Sequence, residues 1–435
     1  MSEAAGSITP GAPPTFGEAA RFWIKLGFIS FGGPTGQIAI MQTELVDRRR
    51  WISSNHFLQI LNYCMLLPGP EAMQLATYVG WLLHRIPGGL VAGAFFVIPS
   101  IFIMLAITYV YAAYGSVPWI AALFYGLKPA VLAIVVNATV RIGSRTLRHP
   151  IKYLIAAASL SALFFFKAPF PLVILSAAMA GLIGVRLFPQ IGAVGAQPGG
   201  AAPDSIPLPE HIQPSLGHAL RVTAACLAAW IIPLVILGLW RGQGDVLFQE
   251  GIFFSKAAVV TFGGAYAVLP YVAQQAVEYF HWLTPAQMID GLGLAETLPG
   301  PLIKVLQFVG FMAGWNQAGD LGLWGAVLGA LIATYFTFMP CFLWIFLGAP
   351  YIEQIRRNRT LNGAMGAITA AVVGVVLNLA VWFGLNVLFP AIHGIDWFAL
   401  GVTVISFIAL QKFKWDLIPV VAGAAALGLI YRLLF

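Results

Sequence analysis

Charged residues are scarce in this chain of 435 residues, of which only 9% are Asp, Glu, Lys or Arg and 60% are hydrophobic. A soluble domain carries about 25% charged residues, so the composition excludes an ordinary soluble protein. Several apolar stretches reach the ~20 residues that cross a bilayer as a helix. The ~10-residue alternating segments of a membrane β-barrel are missing. We therefore predict an all-α polytopic membrane protein that resides in the lipid bilayer.

Cysteines and enzyme motifs are also few. The three cysteines, Cys64, Cys226 and Cys341, are far apart and form no C-x-x-C pair, so we expect no disulfide and no iron–sulfur centre. The chain lacks the phosphate-binding G-x-x-x-x-G-K-[ST] loop, the zinc motif H-E-x-x-H and the nucleophile motif G-x-S-x-G. We expect no cofactor, no metal and no enzymatic activity. The net charge of +7 comes largely from short loops and therefore does not indicate nucleic-acid binding.

The sequence contains an internal repeat, in which the same two short motifs occur twice. Phe31-Gly32-Gly33-Pro34 and Phe262-Gly263-Gly264-Ala265 are 231 residues apart, and the same offset separates Pro68-Gly69-Pro70 from Pro299-Gly300-Pro301. Farther along the chain the offset becomes 241. Two related halves, each with interrupted apolar helices, are typical of a secondary transporter.

The repeat predicts how the chain is divided. A hydrophilic stretch rich in Pro, Gly and Ala separates the two halves and reads as a linker, and one apolar helix follows it. The predicted parts are a disordered leader (1–16), the first repeat (17–188), a cytoplasmic linker (189–216), a connecting transmembrane helix (217–246) and the second, inverted repeat (247–435).

The apolar segments predict the spans. Long spans are expected at 86–113, 117–141, 151–168, 171–188, 217–240, 321–348, 362–388, 396–411 and 415–434. Shorter pieces flank the Pro-Gly-Pro triplets at 52–67, 71–85, 283–298 and 302–315. At ~1.5 Å per residue each short piece reaches only about 20–24 Å, so we expect short or partly penetrating helices.

Basic loops predict the orientation. The loops at 48–50, 141–152, 356–359 and 412–414 carry the clustered Arg and Lys and should face the cytoplasm. The N-terminus and the linker are then inside and the C-terminus outside. Equivalent loops of the two halves fall on opposite sides, which makes the repeat inverted. About thirteen crossings result if each Phe-Gly-Gly sequence forms the turn of a re-entrant hairpin.

The four glycine–proline breaks are the first candidate site. Glycine and proline interrupt the helical hydrogen bonds and leave backbone N–H groups without a hydrogen-bond partner. In hydrocarbon such groups cost free energy unless other protein groups or water bind them. A half-helix that starts after a break presents its positive end, which suits an anion. A single break would favour the alternative of a packing notch or kink. Four breaks in internal register favour a shared binding region near the midplane.

Three lysines in apolar sequence are the next candidates. Lys25 and Lys256 each lie six residues before their Phe-Gly-Gly, and Lys304 lies three residues after Pro301. A buried lysine in a membrane is expensive and faces a partner or a water path, so the pair would attract a divalent oxyanion. The alternative is that the two matched lysines snorkel to the headgroups.

Glu71 and Glu296 are the candidates for proton coupling. Glu71 directly follows Pro70, and Glu296 precedes Pro299 by three residues. A carboxylate at membrane depth can exchange protons near neutral pH because desolvation disfavours its charged form. The alternative for Glu71 is that it caps the helix that begins there.

These duplicated motifs resemble those of the chromate ion transporter family, and most closely its long-chain, two-domain members. The resemblance covers residues 17–188 and 247–434, with Ala265 in the second copy where the first has Pro34. It implies a bacterial inner-membrane protein that exports chromate, is driven by the proton motive force and confers chromate resistance. It also implies that sulfate competes or is itself a substrate.

Several alternatives remain open. From the residues alone the conclusion stops at an inverted-repeat transporter, most simply of an anion. The nearest alternative is a carrier of the same architecture that takes up or exchanges sulfate or another oxyanion. A membrane-embedded enzyme would need a catalytic cluster that the sequence lacks, and a channel would conduct far above carrier turnover. The oligomeric state is open, and a homodimer is compatible with the sequence.

Overall fold

The computed structural model describes residues 14–187, 215–351, 359–390 and 394–434. Within these ranges the chain is helical and contains no strand. Six helices are long and apolar enough to cross a membrane, namely Glu71–Tyr114, Pro118–Thr146, Leu216–Arg241, Leu323–Tyr351, Thr360–Leu388 and Leu417–Leu434. The predicted class of α-helical membrane protein is confirmed. Most of the predicted leader and linker lies outside the described residues, and so do Arg356 and Arg357.

Seven helices form the first repeat, and one connecting helix follows it. A π-helical turn, Thr43–Arg48, extends the second helix. The helices are α1 (Phe16–Ile29), α2 (Gly33–Gln42), α3 (Ser54–Cys64), α4 (Glu71–Tyr114), α5 (Pro118–Thr146), α6 (Pro150–Phe164), α7 (Phe170–Leu187) and the connecting helix α8 (Leu216–Arg241).

Eight helices form the second repeat in the same order. A π-helical turn again extends the second of them, at Gln274–Tyr279, and a 3-10 turn, Leu302–Lys304, leads into the fourth. The helices are α9 (Val246–Val260), α10 (Ala265–Ala273), α11 (Pro285–Thr297), α12 (Val305–Gln317), α13 (Leu323–Gly348), α14 (Arg359–Leu388), α15 (Trp397–Gln411) and α16 (Leu417–Leu434).

One boundary agrees with the sequence prediction and one differs from it. The pieces predicted at 71–85 and 86–113 are separate helical segments of α4, because the backbone turns at His84 and Arg85, whose angles are non-helical, and the two segments pack against each other through Gly80 with Ala92 and Gly93 with Thr77. Helix α5 extends to Thr146, so Arg141 and Arg145 lie on the helix and not in a loop. Clustered basic residues suggested a loop, but arginine is a good helix former and nothing in this stretch ends the helix.

The offset of 231 also holds for the backbone conformation. Ser53 caps α3 and Thr284 caps α11, each by accepting a backbone N–H with its hydroxyl. The π-helical turns at 43–48 and 274–279 occupy matching positions. Arg50 and His281 also match, and both have a φ near +50°. Similar local sequence therefore produces the same backbone path twice.

The helices pack into two groups, and each group draws on both repeats. The core group contains α1, α4, α8, α9, α12 and α13, and the six-helix bundle contains α5, α6, α7, α14, α15 and α16. Glycine permits close helix contact in both groups. Gly310 of α12 lies against Gly329 of α13 in the core group, and Gly126 of α5 lies against Gly428 of α16 in the bundle. Membrane helices associate through such small residues because burial of apolar area no longer drives them together.

Candidate functional site

Two reciprocal hydrogen bonds bring the four breaks together. The N–H of Gly69 donates to the carbonyl oxygen of Thr261 at 2.7 Å, and the N–H of Gly300 donates to that of Ser30 at 2.8 Å. Ser30 and Thr261 end the first helix of their repeats, directly before Phe-Gly-Gly. Each Pro-Gly-Pro break is thus tied to the Phe-Gly-Gly break of the other repeat.

The glycine of each Pro-Gly-Pro is required by its surroundings. Gly69 and Gly300 have φ of +125° and +100°, which L side chains rarely adopt. A Cβ on Gly69 would lie 2.7 Å from Cys341 Sγ, and one on Gly300 would overlap the Cβ of Ser100. Cys341 and Ser100 are themselves matching residues, 241 apart, so the close approach is also duplicated.

Three buried side chains bind the carbonyl groups that the breaks release. Gln74 Nε2 donates to the Pro68 carbonyl oxygen at 2.7 Å, and Lys304 Nζ donates to that of Pro299. Gln37 Nε2 donates to the Gly300 carbonyl oxygen at 2.6 Å. The Lys304 side chain is only 2% exposed, so this cation lies inside the protein at the second Pro-Gly-Pro, as the sequence suggested.

Glu296 is buried at the same break. Its Oε1 accepts a hydrogen bond from the hydroxyl of Tyr266, and its Oε2 has no hydrogen-bond partner in the described part of the chain. Helix α11 supplies the carboxylate and α10 supplies the phenol. The contact therefore joins the Pro-Gly-Pro and Phe-Gly-Gly breaks of the second repeat.

Glu71 lies at the start of a half-helix, where the sequence analysis predicted a bound anion. A Cβ on Gly264 would lie 2.9 Å from Glu71 Oε1, which places this carboxylate at the N-terminal end of α10. The positive end of that half-helix therefore already faces a carboxylate of the protein. The first repeat differs because Leu302 matches Glu71 and the space around Gly33 is open.

Lys25 and Lys256 lie away from the breaks. Both are exposed. Lys25 lies within electrostatic range of Glu44, and Lys256 lines a surface groove with Gln275 and Tyr279. Glu44, Gln275 and Tyr279 belong to the π-helical turns, so each lysine faces the π-helical turn of its own repeat.

Several polar residues near the breaks were not identified as site residues from the sequence. Gln37 and Tyr266 contact the breaks, while their matches in the other repeat are Val268 and Thr35. Asp290 is also buried, and it accepts a hydrogen bond from Tyr111 at 2.9 Å and lies 3.7 Å from Lys128 Nζ. For Gln37 and Tyr266, a polar residue in one copy opposite an apolar or smaller one in the other was the signal that could have found them, whereas Asp290 matches the polar residue Gln59 and gave no such signal.

The six-helix bundle, which contains three helices of each repeat, contacts the broken helices of the two repeats unequally. It packs on the second repeat, where Val372 lies 3.5 Å from the Cβ position of Gly263 and Leu127 meets Gly293. Residues 288–296 of α11 are buried between the bundle and α12, where Phe308 lies against Gly291. The matching helix of the first repeat exposes Leu58, Asn62 and Met65, and Phe31 at the first Phe-Gly-Gly is exposed as well.

The family model of chromate transporters matches the chain twice, over residues 17–182 and 248–429. The chain belongs to the chromate transporter family. The two matched stretches correspond to the two repeats and include all four breaks. The family resemblance and its long-chain, two-repeat form are thereby confirmed, and the relatives are transporters and not enzymes.

The similar proteins cover nearly the whole chain. A chromate transport protein of Pseudomonas aeruginosa is 30% identical over 441 residues, which are 98% of this chain and 95% of that protein. A chromate transport protein of Cupriavidus metallidurans is 25% identical over 98% of this chain and 96% of its own length. An uncharacterised transporter of Methanocaldococcus jannaschii is 25% identical over 93% and 92%. No solved structure matches this chain.

We expect Gly69→Ala to destabilise the protein by about 1–3 kcal/mol, because it combines backbone strain with overlap on Cys341. Adding Cys341→Ala should recover part of this loss by removing the overlapping sulfur. Gly300→Ala should not be rescued by Ser100→Ala, because there the two Cβ atoms themselves overlap. Thermal unfolding of the four variants in detergent measures this, with Gly366→Ala as the control at an open helical position. Equal rescue at both sites would contradict the described packing.

Proposed function

We propose that this protein exports chromate from the cytoplasm across the bacterial inner membrane and thereby confers chromate resistance. Membership of the chromate transporter family and the names of the similar proteins support chromate as the substrate. The observation that carries the proposal is the convergence of four helix breaks around a buried lysine, Lys304. Broken helices that meet inside a two-repeat membrane protein are where transporters bind their substrates.

The substrate would bind beside Lys304 and the exposed first break, Phe31-Gly32-Gly33-Pro34. The Gly32 and Gly33 backbone lies at the N-terminal end of α2, and no atom of the described residues lies within 4 Å of the Cβ position of Gly33. Glu71 already faces the corresponding end of α10, so the second Phe-Gly-Gly serves as structural support and not as the oxyanion ligand. Lys25 and Lys256 remain predicted attractors of the oxyanion on its way to or from the site.

The proton motive force would drive export mainly through the membrane potential. A dianion that leaves a cell with a negative interior gains roughly 2.3 kcal/mol per charge for each 100 mV. Glu71 and Glu296 are the groups that would exchange protons during the cycle, because both lie at the breaks with one carboxylate oxygen lacking a partner in the described residues. This oxygen is available to carry a proton.

The unequal packing of the six-helix bundle supports alternating access. We take the two repeats as inverted, with about thirteen crossings, the N-terminus in the cytoplasm and the C-terminus outside. The bundle then rests on α11 and the second Phe-Gly-Gly, and it leaves α3 and the first Phe-Gly-Gly exposed. Movement of the bundle onto the first repeat would close this side and open the other.

The function is tested by chromate uptake into everted membrane vesicles that contain this protein, with sulfate as competitor. We expect energised uptake that collapses when an uncoupler is added, because inward movement in everted vesicles corresponds to export. Vesicles with an inserted but inactive variant provide the background. Absence of uptake despite correct insertion would contradict chromate export, and uptake of sulfate alone would favour the sulfate carrier.

We expect Lys304→Met to reduce chromate uptake at least tenfold in this assay. A charge-assisted contact contributes about 1.5–3 kcal/mol, and about 1.4 kcal/mol corresponds to a factor of ten. Lys304→Arg should retain part of the activity because it keeps the charge. Lys412→Met, at an exposed position outside the site, is the matched control. Normal uptake by Lys304→Met would remove Lys304 from the substrate site.

Cysteine pairs test the movement in a variant whose three native cysteines are replaced by alanine. Leu127→Cys with Gly293→Cys should form a disulfide that holds the described state and stops transport until it is reduced. The matching pair, Ile368→Cys with Asn62→Cys, should form a disulfide when the bundle rests on the first repeat. Its failure to form during active transport would rule out the proposed movement.

A further inference from the structure

Asp290 lies where the six-helix bundle rests on the second repeat. It belongs to α11 and lies one turn before Gly293, which Leu127 and Val131 of α5 contact. Its side chain is only 4% exposed. The proposed movement of the bundle would uncover this surface of α11. Asp290 is therefore a carboxyl group whose contact with water depends on where the bundle lies.

The partners of Asp290 supply only part of what an ionised carboxylate needs. The hydroxyl of Tyr111 on α4 donates to Oδ2 at 2.9 Å, and Lys128 Nζ on α5 lies 3.7 Å from the same oxygen. A charge-assisted hydrogen bond is shorter, at about 2.8 Å. Oδ1 has no hydrogen-bond partner in the described part of the chain. Burial of an incompletely paired charge costs free energy, so this environment favours the protonated acid.

Lys128 limits this preference for a proton. Its side chain is 27% exposed, so its ammonium group stays in contact with water while it lies beside Asp290. A nearby cation favours the ionised form of a carboxyl group. Among the ion pairs of the described residues, this is the one that joins a bundle helix with a broken helix. Lys128 therefore moves with the bundle, whereas Asp290 does not.

The remaining titratable groups near α11 make no hydrogen bond or ion pair with Asp290 in the described structure. Helix α12 has none, and α14 has only its first residue, Arg359. The others on the elements packed against α11, and on α11 itself, are Glu71, Tyr78, His84, Arg85, Tyr109, Tyr114, Tyr125, Arg141, Arg145, Glu296, Lys304, Tyr431 and Arg432.

The first repeat offers no acid at the matching contact. Gln59 of α3 matches Asp290, and Thr369 of α14 matches Lys128. A bundle that rests on the first repeat would therefore cover an amide and not a carboxyl group. Only one of the two states buries a titratable group at this contact.

We propose that Asp290 is a further proton-binding residue of the transport cycle, that its protonation favours the state with the bundle on the second repeat, and that Lys128 limits this effect. The inference rests on the alternating access of the proposed function and specifies what biases it. Asp290 differs from Glu71 and Glu296 because it lies in the contact that the movement breaks.

The sign of the pH dependence follows from burial. When the bundle leaves α11, water hydrates Asp290 and lowers its proton affinity to that of an exposed carboxyl group. The described state therefore binds the proton more tightly, and by linkage the proton stabilises that state. This stabilisation is present at low pH and is lost as the pH rises. The compartment to which α11 opens thus sets the balance through its pH.

Distances between spin labels on the purified full-length protein in nanodiscs test the switch without chromate. Labels are attached to Leu154→Cys on the bundle and to either Asn55→Cys on α3 or Ala286→Cys on α11, in the variant without native cysteines. Leu154, Asn55 and Ala286 are exposed. Ala286 matches Asn55 and stays exposed although the bundle rests on α11, so a label at either position leaves room for the bundle.

We expect the two distances to change in opposite directions when the pH rises from 5 to 8. The distance from the bundle to α3 should shorten and that to α11 should lengthen. The ratio of the two states should change by at most about tenfold per pH unit for one linked proton. General loosening of the protein would lengthen both distances. Distances that do not depend on pH, or that change in the opposite sense, would overturn the inference.

Substitutions assign the pH dependence to Asp290. Asp290→Asn, which imitates the protonated acid, should keep the bundle on the second repeat and remove most of the pH dependence. Lys128→Gln should lower the share of this state at pH 8 by about threefold or more, because the ionised acid loses its cation. Lys128→Arg should behave like wild type. The same pH dependence in Asp290→Asn and wild type would overturn the role of Asp290, and an unchanged Lys128→Gln would overturn that of Lys128.

Moving the acid to the other repeat provides the matched test. Gln59→Asp combined with Asp290→Asn places the titratable group under the bundle in the opposite state. We expect the pH dependence to reverse, so that low pH favours the bundle on the first repeat. Absence of this reversal in the folded double variant would overturn burial under the bundle as the cause.

The outcomes separate this inference from the proposed function. Movement that depends on pH through Asp290, without chromate uptake into everted vesicles, would uphold the switch and contradict export. Chromate uptake together with movement that does not depend on Asp290 would uphold export and overturn the switch. A single set of distances under all conditions, including added chromate, would overturn both the switch and the proposed movement.

Discussion

Two backbone hydrogen bonds, from Gly69 to Thr261 and from Gly300 to Ser30, are the contacts on which the rest of this structure depends. A helix that breaks at membrane depth leaves N–H and carbonyl groups that lipid cannot satisfy. Here each break finds its partner in the other repeat. The two halves must therefore fold against each other, and the breaks must meet in one place.

The backbone of this meeting point is duplicated, whereas its side chains are not. Gly69 and Gly300 have similar conformations, and each approaches a small residue of the other repeat. Glu296 and Lys304, by contrast, match Met65 and Met73 in the first copy. Duplication thus supplies the scaffold of broken helices, and divergence between the copies supplies one set of charged groups. This is how a pseudo-symmetric chain can hold a single asymmetric site.

The division into a core group and a six-helix bundle separates two tasks. The core group holds the breaks, with Lys304 and Glu296 beside them, and close glycine contacts such as Gly310 with Gly329 keep its helices together. The bundle packs on the second repeat at α11 and at the break before α10, where Leu127 meets Gly293 and Val372 lies beside Gly263.

The sequence by itself determined the membrane class, the two repeats, the position of the four breaks and nearly all helix bounds. These features depend on local hydrophobicity, on glycine and proline, and on comparison of the chain with itself. Only the tertiary structure decided which side chains meet. It buried Lys304 at a break but left Lys25 and Lys256 exposed. It also set Glu71 against Gly264 and placed Arg141 on a helix where a loop was predicted. The reason is physical: apolar composition reveals which segments enter the membrane, but the rotation and contacts of each helix depend on packing between residues far apart in the chain.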